Sequence, residues 1–211
     1  MNGASDPNQN ALLATGKDMM RTGKLDEAEQ IFRRILENEP HEPDALHLLG
    51  LVRFQTGHPE EAVNFIKQAI AHARPNEDYL HNLGQIYKMT GKWAEASKNF
   101  HQALVLKPDY TDAHINLGDT LKELDRVEDA VDCYRKALDL KPDFAEAHNN
   151  LGNMLKALGR LDEAIASYRK AIAIKPDFAE AHNNLGNALK DAGKLDEATS
   201  SYQKALAIKP D

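Results

Sequence analysis

The sequence has few of the features that secreted, membrane and nucleic-acid-binding proteins share. Its 211 residues include one cysteine, Cys133, so no internal disulfide is possible. No apolar run approaches the roughly 20 residues that span a bilayer, and no secretory leader is visible. These absences suit the cytosol, and we expect a cytoplasmic protein without a membrane partner.

Basic charge and the motifs of catalysis are also scarce. The chain carries 26 Lys and Arg against 33 Asp and Glu, a formal net charge of −7. Because nucleic-acid binding depends on neutralising phosphates, we expect no nucleic-acid partner. The sequence has no Cys/His ligand cluster, no Gly-rich phosphate loop and no nucleophile with a matched base. We therefore predict no catalysis, no metal site and no cofactor.

What the sequence does contain is a repeat. Residues 143–176 recur at 177–210, and 26 of the 34 positions are identical. Within the first copy, apolar residues return at helical spacing over two segments. Gly159 separates the segments and tolerates positive φ, and Pro176 ends the second one. Each copy is therefore predicted to be a helical hairpin, with Asp143 capping its first helix.

Such a hairpin cannot cover both of its apolar faces, so the surplus must be buried against the next copy. Small residues at Gly152 and Ala164 allow this close approach. We predict six copies in a domain spanning residues 9–211, after a disordered N-terminal flank at residues 1–8. The predicted repeats are 9–42, 43–76, 77–110, 111–144, 145–178 and 179–211.

Three departures from the repeat predict local structure. Arg53 occupies the slot of a large apolar residue in the second copy, and Pro75 comes one residue late, which predicts an irregular junction between the second and third copies. Asp125 replaces the turn glycine of the fourth copy, and aspartate adopts a left-handed conformation at modest cost.

The repeat resembles the tetratricopeptide repeat family, which has Leu-Gly and a large residue in the first helix, Gly at the turn, then spaced Ala, aromatic, Ala and Pro. The matching residues are Leu151, Gly152, Leu155, Gly159, Ala164, Tyr168, Ala171 and Pro176. The resemblance implies an all-α fold, a right-handed superhelical solenoid of helix-turn-helix repeats. It also implies that the first helices line a concave groove.

Asparagines and lysines recur on the predicted groove side. One amide per repeat forms a row of four: Asn82, Asn116, Asn150 and Asn184. Two shorter rows pair Asn149 with Asn183 and Asn153 with Asn187. A lysine row comprises Lys88, Lys122, Lys156 and Lys190. Asparagine is a weak helix former, so repeated use mid-helix needs an offsetting role.

A carboxamide can pair with both the C=O and the N–H of an extended peptide, whatever the peptide's side chains are. The rows are therefore predicted to bind peptide, although copying by duplication or bonding to a neighbouring repeat would also explain them. The row of four resembles the asparagine ladder in the repeat region of protein O-linked N-acetylglucosamine transferases, which holds the main chain of substrate peptides.

Other residues have two interpretations each. Leu48, Leu51 and Phe54 form an apolar patch that either anchors a ligand side chain or packs under the N-terminal flank. His114, His148 and His182 recur at 34-residue spacing and favour interior packing over metal binding. Cys133 is either a reactive thiol or a small packing residue.

We therefore expect a protein-interaction scaffold that binds an extended protein or peptide segment through an asparagine ladder. The alternative is the substrate-recognition arm of a larger enzyme, such as a glycosyltransferase, whose catalytic domain is absent here. The last helix lacks a polar cap. We accordingly expect either a fragment of a longer protein or self-association through the uncapped C-terminal helix.

Overall fold

The computed structural model describes residues 7–210, which contain twelve α-helices and no strand. The chain divides into two compact units, described over residues 7–107 and 108–210. Within each unit, every helix packs against the next one along the chain.

The first unit contains α1 (Pro7–Arg21), α2 (Leu25–Asn38), α3 (Pro43–Gln55), α4 (Pro59–His72), α5 (Glu77–Met89) and α6 (Trp93–Leu106). Helix α1 takes in the last two residues of the predicted flank, and the rest of that flank lies outside the described residues.

The second unit contains α7 (Thr111–Glu123), α8 (Val127–Leu140), α9 (Ala145–Ala157), α10 (Leu161–Ile174), α11 (Ala179–Asp191) and α12 (Leu195–Ile208). We propose that each odd-numbered helix and the helix after it form one repeat, with the bounds predicted from the sequence.

The turn inside each hairpin depends on one residue with positive φ. Gly159 adopts φ +71° between α9 and α10, as its position in the repeat predicts. Asp125 adopts φ +56° at the same place between α7 and α8. The prediction that aspartate preserves this hairpin is therefore confirmed.

Small residues set the distance between the two helices of a hairpin. A Cβ added to Gly152 in α9 would lie 2.5 Å from Cε1 of Tyr168 in α10, well inside van der Waals contact. Ala164 in α10 is fully buried. The sequence predicted that these residues set the approach of successive copies, whereas Gly152 makes its close contact within its own hairpin.

The recurring histidines tie successive repeats together in the second unit. Nε2 of His148 donates to the carbonyl oxygen of Pro142, in the loop before α9, over 2.9 Å. His182 makes the same bond to Pro176 over 3.0 Å. These side chains are buried, so they serve interior packing, and no group of His, Cys, Asp and Glu suited to a metal ion occurs within residues 7–210.

The helix starts differ from one prediction. The N-cap residue of α9 is Phe144, and it makes no side-chain cap hydrogen bond. Asp143 lies one residue too early to cap the helix, so the predicted capping box is wrong. An aromatic residue occupies the cap position instead, and Lys141 Nζ lies 4.9 Å from the centre of its ring.

The junction between α4 and α5 is irregular, as Pro75 predicts. Ala73, the C-cap of α4, is extended at φ −85° and ψ 163°. The equivalent Lys141 after α8 has φ −135° and ψ 85°. The loop after α4 therefore leaves its helix in a different direction from the loop after α8.

Candidate peptide-binding face

The row of four predicted asparagines lies half-buried on α5, α7, α9 and α11. In the second unit, Nδ2 of Asn184 donates to Oδ1 of Asn149 over 3.0 Å. Nδ2 of Asn150 donates to Oδ1 of Asp119 over 3.4 Å, a weak bond. Each contact reaches back to the preceding repeat, so it fixes the orientation of the amide.

The contacts use only part of what each amide offers. An amide has two N–H donors and a carbonyl acceptor with two lone pairs. Among residues 7–210, Oδ1 of Asn150 and Oδ1 of Asn184 accept no hydrogen bond. These two carbonyl oxygens are therefore open to an incoming N–H group.

Asn82 is the member of the row of four that lies in the first unit, and each member is called a rung below. Its side chain is hydrogen-bonded to a histidine. Its Nδ2 lies 2.9 Å from Nε2 of His47. His47 is 8% exposed and stacks on the ring of Tyr79, with 4.4 Å between centroids. Burial lowers the pKa of His47 to about 4. The imidazole is therefore neutral at pH 7 and accepts the amide proton through Nε2.

Asn149 does not lie on an exposed face, as its row was predicted to do. It is 1% exposed. Its Nδ2 donates to Glu180 over 3.0 Å, and its Oδ1 accepts from Asn184. It therefore positions Asn184 and leaves no surface for a ligand, whereas Asn183, its equivalent in the next repeat, is exposed.

Asn153 and Asn187 hold tyrosines of their own repeats. Oδ1 of Asn153 accepts from the hydroxyl of Tyr168 over 2.7 Å, and Oδ1 of Asn187 accepts from Tyr202 over 2.9 Å. In the fourth repeat, Oδ1 of Asp119 accepts the equivalent hydrogen bond from the hydroxyl of Tyr134. The sequence analysis missed this pairing, although a constant separation of 15 residues was visible in three repeats.

The four lysines of the lysine row differ in their surroundings. Lys156 pairs with Asp191 of the next first helix over 3.2 Å, and Lys122 pairs with Glu123 over 3.0 Å. Lys88 is half-buried and Lys190 is exposed. The two ion pairs lie at the surface, where such pairs contribute about 0–1 kcal/mol, so Lys122 and Lys156 remain available to an acidic partner.

The apolar patch of the second repeat is largely inaccessible. Leu48 is 8% exposed and belongs to a core cluster with Leu13 and Phe32 of the first repeat. Leu51 packs against the same cluster, and Phe54 is half-buried. Leu48 therefore does not anchor a ligand in this structure.

Cys133 is buried in α8, and burial raises its pKa to about 11. A thiol with a raised pKa is a poor nucleophile at neutral pH because little thiolate forms. Of its two interpretations, the small packing residue is the one that this site supports.

The chain matches known repeat families along most of its length. The family profile described as "TPR repeat" matches residues 84–125, 118–159 and 152–193. Two profiles described as "Tetratricopeptide repeat" match residues 179–211 and 19–86. No curated protein matches the sequence.

Solved structures share the fold. The crystal structure of MamA is 28% identical, with a TM-score of 0.75 over 77% of this chain and 95% of that one. Pseudomonas aeruginosa pilF is 20% identical, with a TM-score of 0.81 over 96% and 92%. YrrB, described as "a TPR protein with an unusual peptide-binding site", is 23% identical, with a TM-score of 0.77 over 85% and 93%. The predicted all-α repeat fold is confirmed, and no helix in residues 7–210 is long and apolar enough to cross a membrane.

Proposed function

Because the chain belongs to the tetratricopeptide repeat family, we propose that its first helices bind a protein segment in an extended conformation. Membership of this family supports a protein-interaction scaffold with protein or peptide partners. The finer proposal is that the asparagine row contacts the main chain of the ligand. It involves binding alone, without catalysis by this chain.

The observation that carries the proposal concerns the amides of Asn150 on α9 and Asn184 on α11, which use only part of their hydrogen-bonding capacity within the protein. Asn150 donates to Asp119 and Tyr134 of the preceding repeat, Asn184 donates to Asn149, and both keep the carbonyl oxygen free. An amide already held in one orientation loses less conformational freedom on binding. The free carbonyl oxygen of each amide matches the N–H of a peptide unit, and the second N–H of Asn184 matches its C=O.

The spacing of the row suits an extended ligand. Packed helices are about 10 Å apart in general, and an extended chain advances about 3.3 Å per residue. Each rung in the second unit therefore meets roughly every third ligand residue. At about 0.5–1.5 kcal/mol net per hydrogen bond, the rungs supply part of the affinity, and we propose that Lys156 and Lys190 favour acidic ligand side chains.

The test is a peptide-library screen followed by substitution of two rungs. We expect Asn150→Ala combined with Asn184→Ala to weaken binding of the selected peptides by roughly 5- to 150-fold, because about 1–3 kcal/mol is lost at a factor of ten per 1.4 kcal/mol. Asn64 is an exposed amide on α4, the second helix of its repeat. Asn64→Ala is therefore the matched control and should leave binding unchanged.

A chemical change in the ligand makes the test specific to the main chain. N-methylation of the peptide unit that meets a rung should weaken binding to the native chain and have little further effect on the double variant. The proposal of an asparagine ladder would be contradicted if N-methylation weakened binding equally in both proteins. It would also be contradicted if the double variant kept its helical spectrum and bound the selected peptides as tightly as the native chain.

We also propose that α12 mediates self-association. A groove of about 600 Å³ lies between α11 and α12, lined by Ala179, Tyr202 and Leu206 among others. Leu195 and Leu206 are each 62% exposed, and exposed apolar surface of this kind favours association. Light scattering should show a mass that rises with protein concentration, and Leu206→Glu should keep the chain monomeric. A constant monomer mass in the native chain would rule this out.

A further inference from the structure

A separate apolar pocket lies in the first unit between the C-terminal ends of α4 and α6. Its volume is about 380 Å³, within the range of about 300–1,000 Å³ that is usual for ligand pockets. Its apolar walls are Ile70, Ala73, Tyr79, Leu80, Val105 and Leu106. Val105 is 78% exposed and Leu106 is 40% exposed, so the walls continue onto the surface.

The pocket coincides with the place where the repeat is broken. Arg74 occupies a position that is proline in each of the five other repeats, namely Pro40, Pro108, Pro142, Pro176 and Pro210. Arg74 and the displaced Pro75 both line the pocket. Arg74 is exposed and forms no ion pair within residues 7–210, so its charge remains available to a ligand.

Two further departures from the repeat shape the pocket. Leu80 stands where the second unit has His148, so the hydrogen bond to a loop carbonyl is replaced by an aliphatic side chain. Asn76 stands where the second unit has an aromatic cap residue, Phe144. Its side chain accepts from the backbone N–H groups of Asp78 and Tyr79 over 2.9 and 3.1 Å, so it caps α5 and leaves no ring at this place.

The exposed valine is the fourth departure. The positions equivalent to Val105 hold small or acidic residues in the other repeats: Glu37, Ala71, Asp139, Ala173 and Ala207. A large apolar side chain at 78% exposure gains little from folding because its surface stays in water. Covering that surface with a partner would recover the missing stabilisation.

We propose that this pocket binds a peptide segment with an aromatic side chain next to a carboxylate. The second unit provides the internal precedent for the ring, because Phe144 and Phe178 sit at the position of Asn76 with Lys Nζ atoms 4.9 and 5.0 Å from their centroids. At this junction the ring is absent and a cation, Arg74, is present. No carboxylate lines the pocket among the described residues, so an acidic neighbour of the ring pairs with Arg74.

The corresponding groove in the second unit has different chemistry. Between α8 and α10, Arg135, Asp139, Glu163 and Lys170 line the groove. The guanidinium of Arg135 pairs with Glu163 across it over 2.9 Å. Charges of both signs already pair with one another in that groove. The peptide with an aromatic and an acidic side chain is therefore expected to bind more tightly to the pocket of the first unit.

The test uses the end-blocked peptide acetyl-Gly-Phe-Asp-Gly-amide and amide chemical shifts of the full chain. A single anchored side chain should bind at about millimolar strength, with saturating shifts confined to residues 70–80 and 102–106. Replacing the peptide's Phe by Ala should abolish these shifts. Asn76→Phe supplies the ring from the protein itself and should weaken binding more than ten-fold.

Two exposed substitutions keep the result interpretable if Asn76→Phe lowers stability. Val105→Asp introduces the residue that the fourth repeat has at this position, Asp139, and should also abolish binding. Arg74→Gln should weaken binding of the Phe-Asp peptide by roughly two- to five-fold, as expected for the loss of a surface ion pair. Binding of a Phe-Asn peptide should be unaffected. Absence of saturating shifts at millimolar peptide, shifts elsewhere in the chain, or equal binding of a Leu-Asp peptide would overturn the proposal.

Discussion

Tyr168→Ala is expected to lower the free energy of unfolding by about 3–5 kcal/mol, the range observed for deleting a buried aromatic side chain. Tyr168 is 0% exposed. Its ring lies against Gly152, which has no side chain to fill the space that the ring leaves. The loss should appear as a lower midpoint in urea, followed by far-UV circular dichroism.

The repeat supplies matched controls for this experiment. Tyr202 is the equivalent residue of α12 and makes the same hydroxyl bond, but it is only partly buried, so Tyr202→Ala should cost about 1–3 kcal/mol. Tyr168→Phe removes only the bond to Asn153 and should cost about 1 kcal/mol. Equal losses for Tyr168→Ala and Tyr202→Ala would show that burial does not set the difference.

The repeat pattern predicts the fold well because its signals are local. The φ of Gly159, the left-handed Asp125 and the disturbed loop around Pro75 each follow from the chemistry of one residue and its neighbours in sequence. The capping prediction failed by one residue, because spacing alone does not show whether the chain turns at Asp143 or continues to Phe144.

The candidate site is harder to predict because it depends on neighbouring repeats. A projection of α9 alone places Asn149 opposite the apolar arc. The residues that cover it, Glu180 and Asn184, come from α11. Arg53 is a similar case: it breaks the repeat pattern, yet it pairs with Glu29 and Glu61 over 3.2 and 2.9 Å. Glu61 is eight residues from Arg53, whereas the other partners lie 24 to 35 residues apart in sequence, beyond the reach of a helical period.

Acid is expected to destabilise the first unit through His47. Burial lowers the folded-state pKa of His47 to about 4 from 6.5. Asp44 and Asp78 oppose this shift and Lys17 adds to it. Above pH 6.5 the imidazole is neutral in both states, so it contributes no dependence on pH.

The sign follows from where the proton binds first. Between pH 6.5 and about pH 4, His47 is protonated in the unfolded chain but stays neutral in the folded chain. The free energy of unfolding therefore decreases as the pH is lowered through this window. A difference of about 2.5 pKa units at 1.36 kcal/mol each amounts to a loss of about 3 kcal/mol by pH 4. Protonation also removes the acceptor for Asn82, because Nε2 then carries a hydrogen.

His47→Gln isolates this contribution, since glutamine retains an acceptor for Asn82 but does not titrate. Urea unfolding at pH 7 and at pH 4.5 should show a smaller loss for His47→Gln than for the native chain, by about 2–3 kcal/mol. Both proteins carry the same carboxylates, so the difference between their losses reports on His47. Imidazole proton shifts of His47 give an independent reading: a midpoint near 4 is expected, and a midpoint near 6.5 with equal acid losses in the two proteins would mean that burial does not hold this ring neutral.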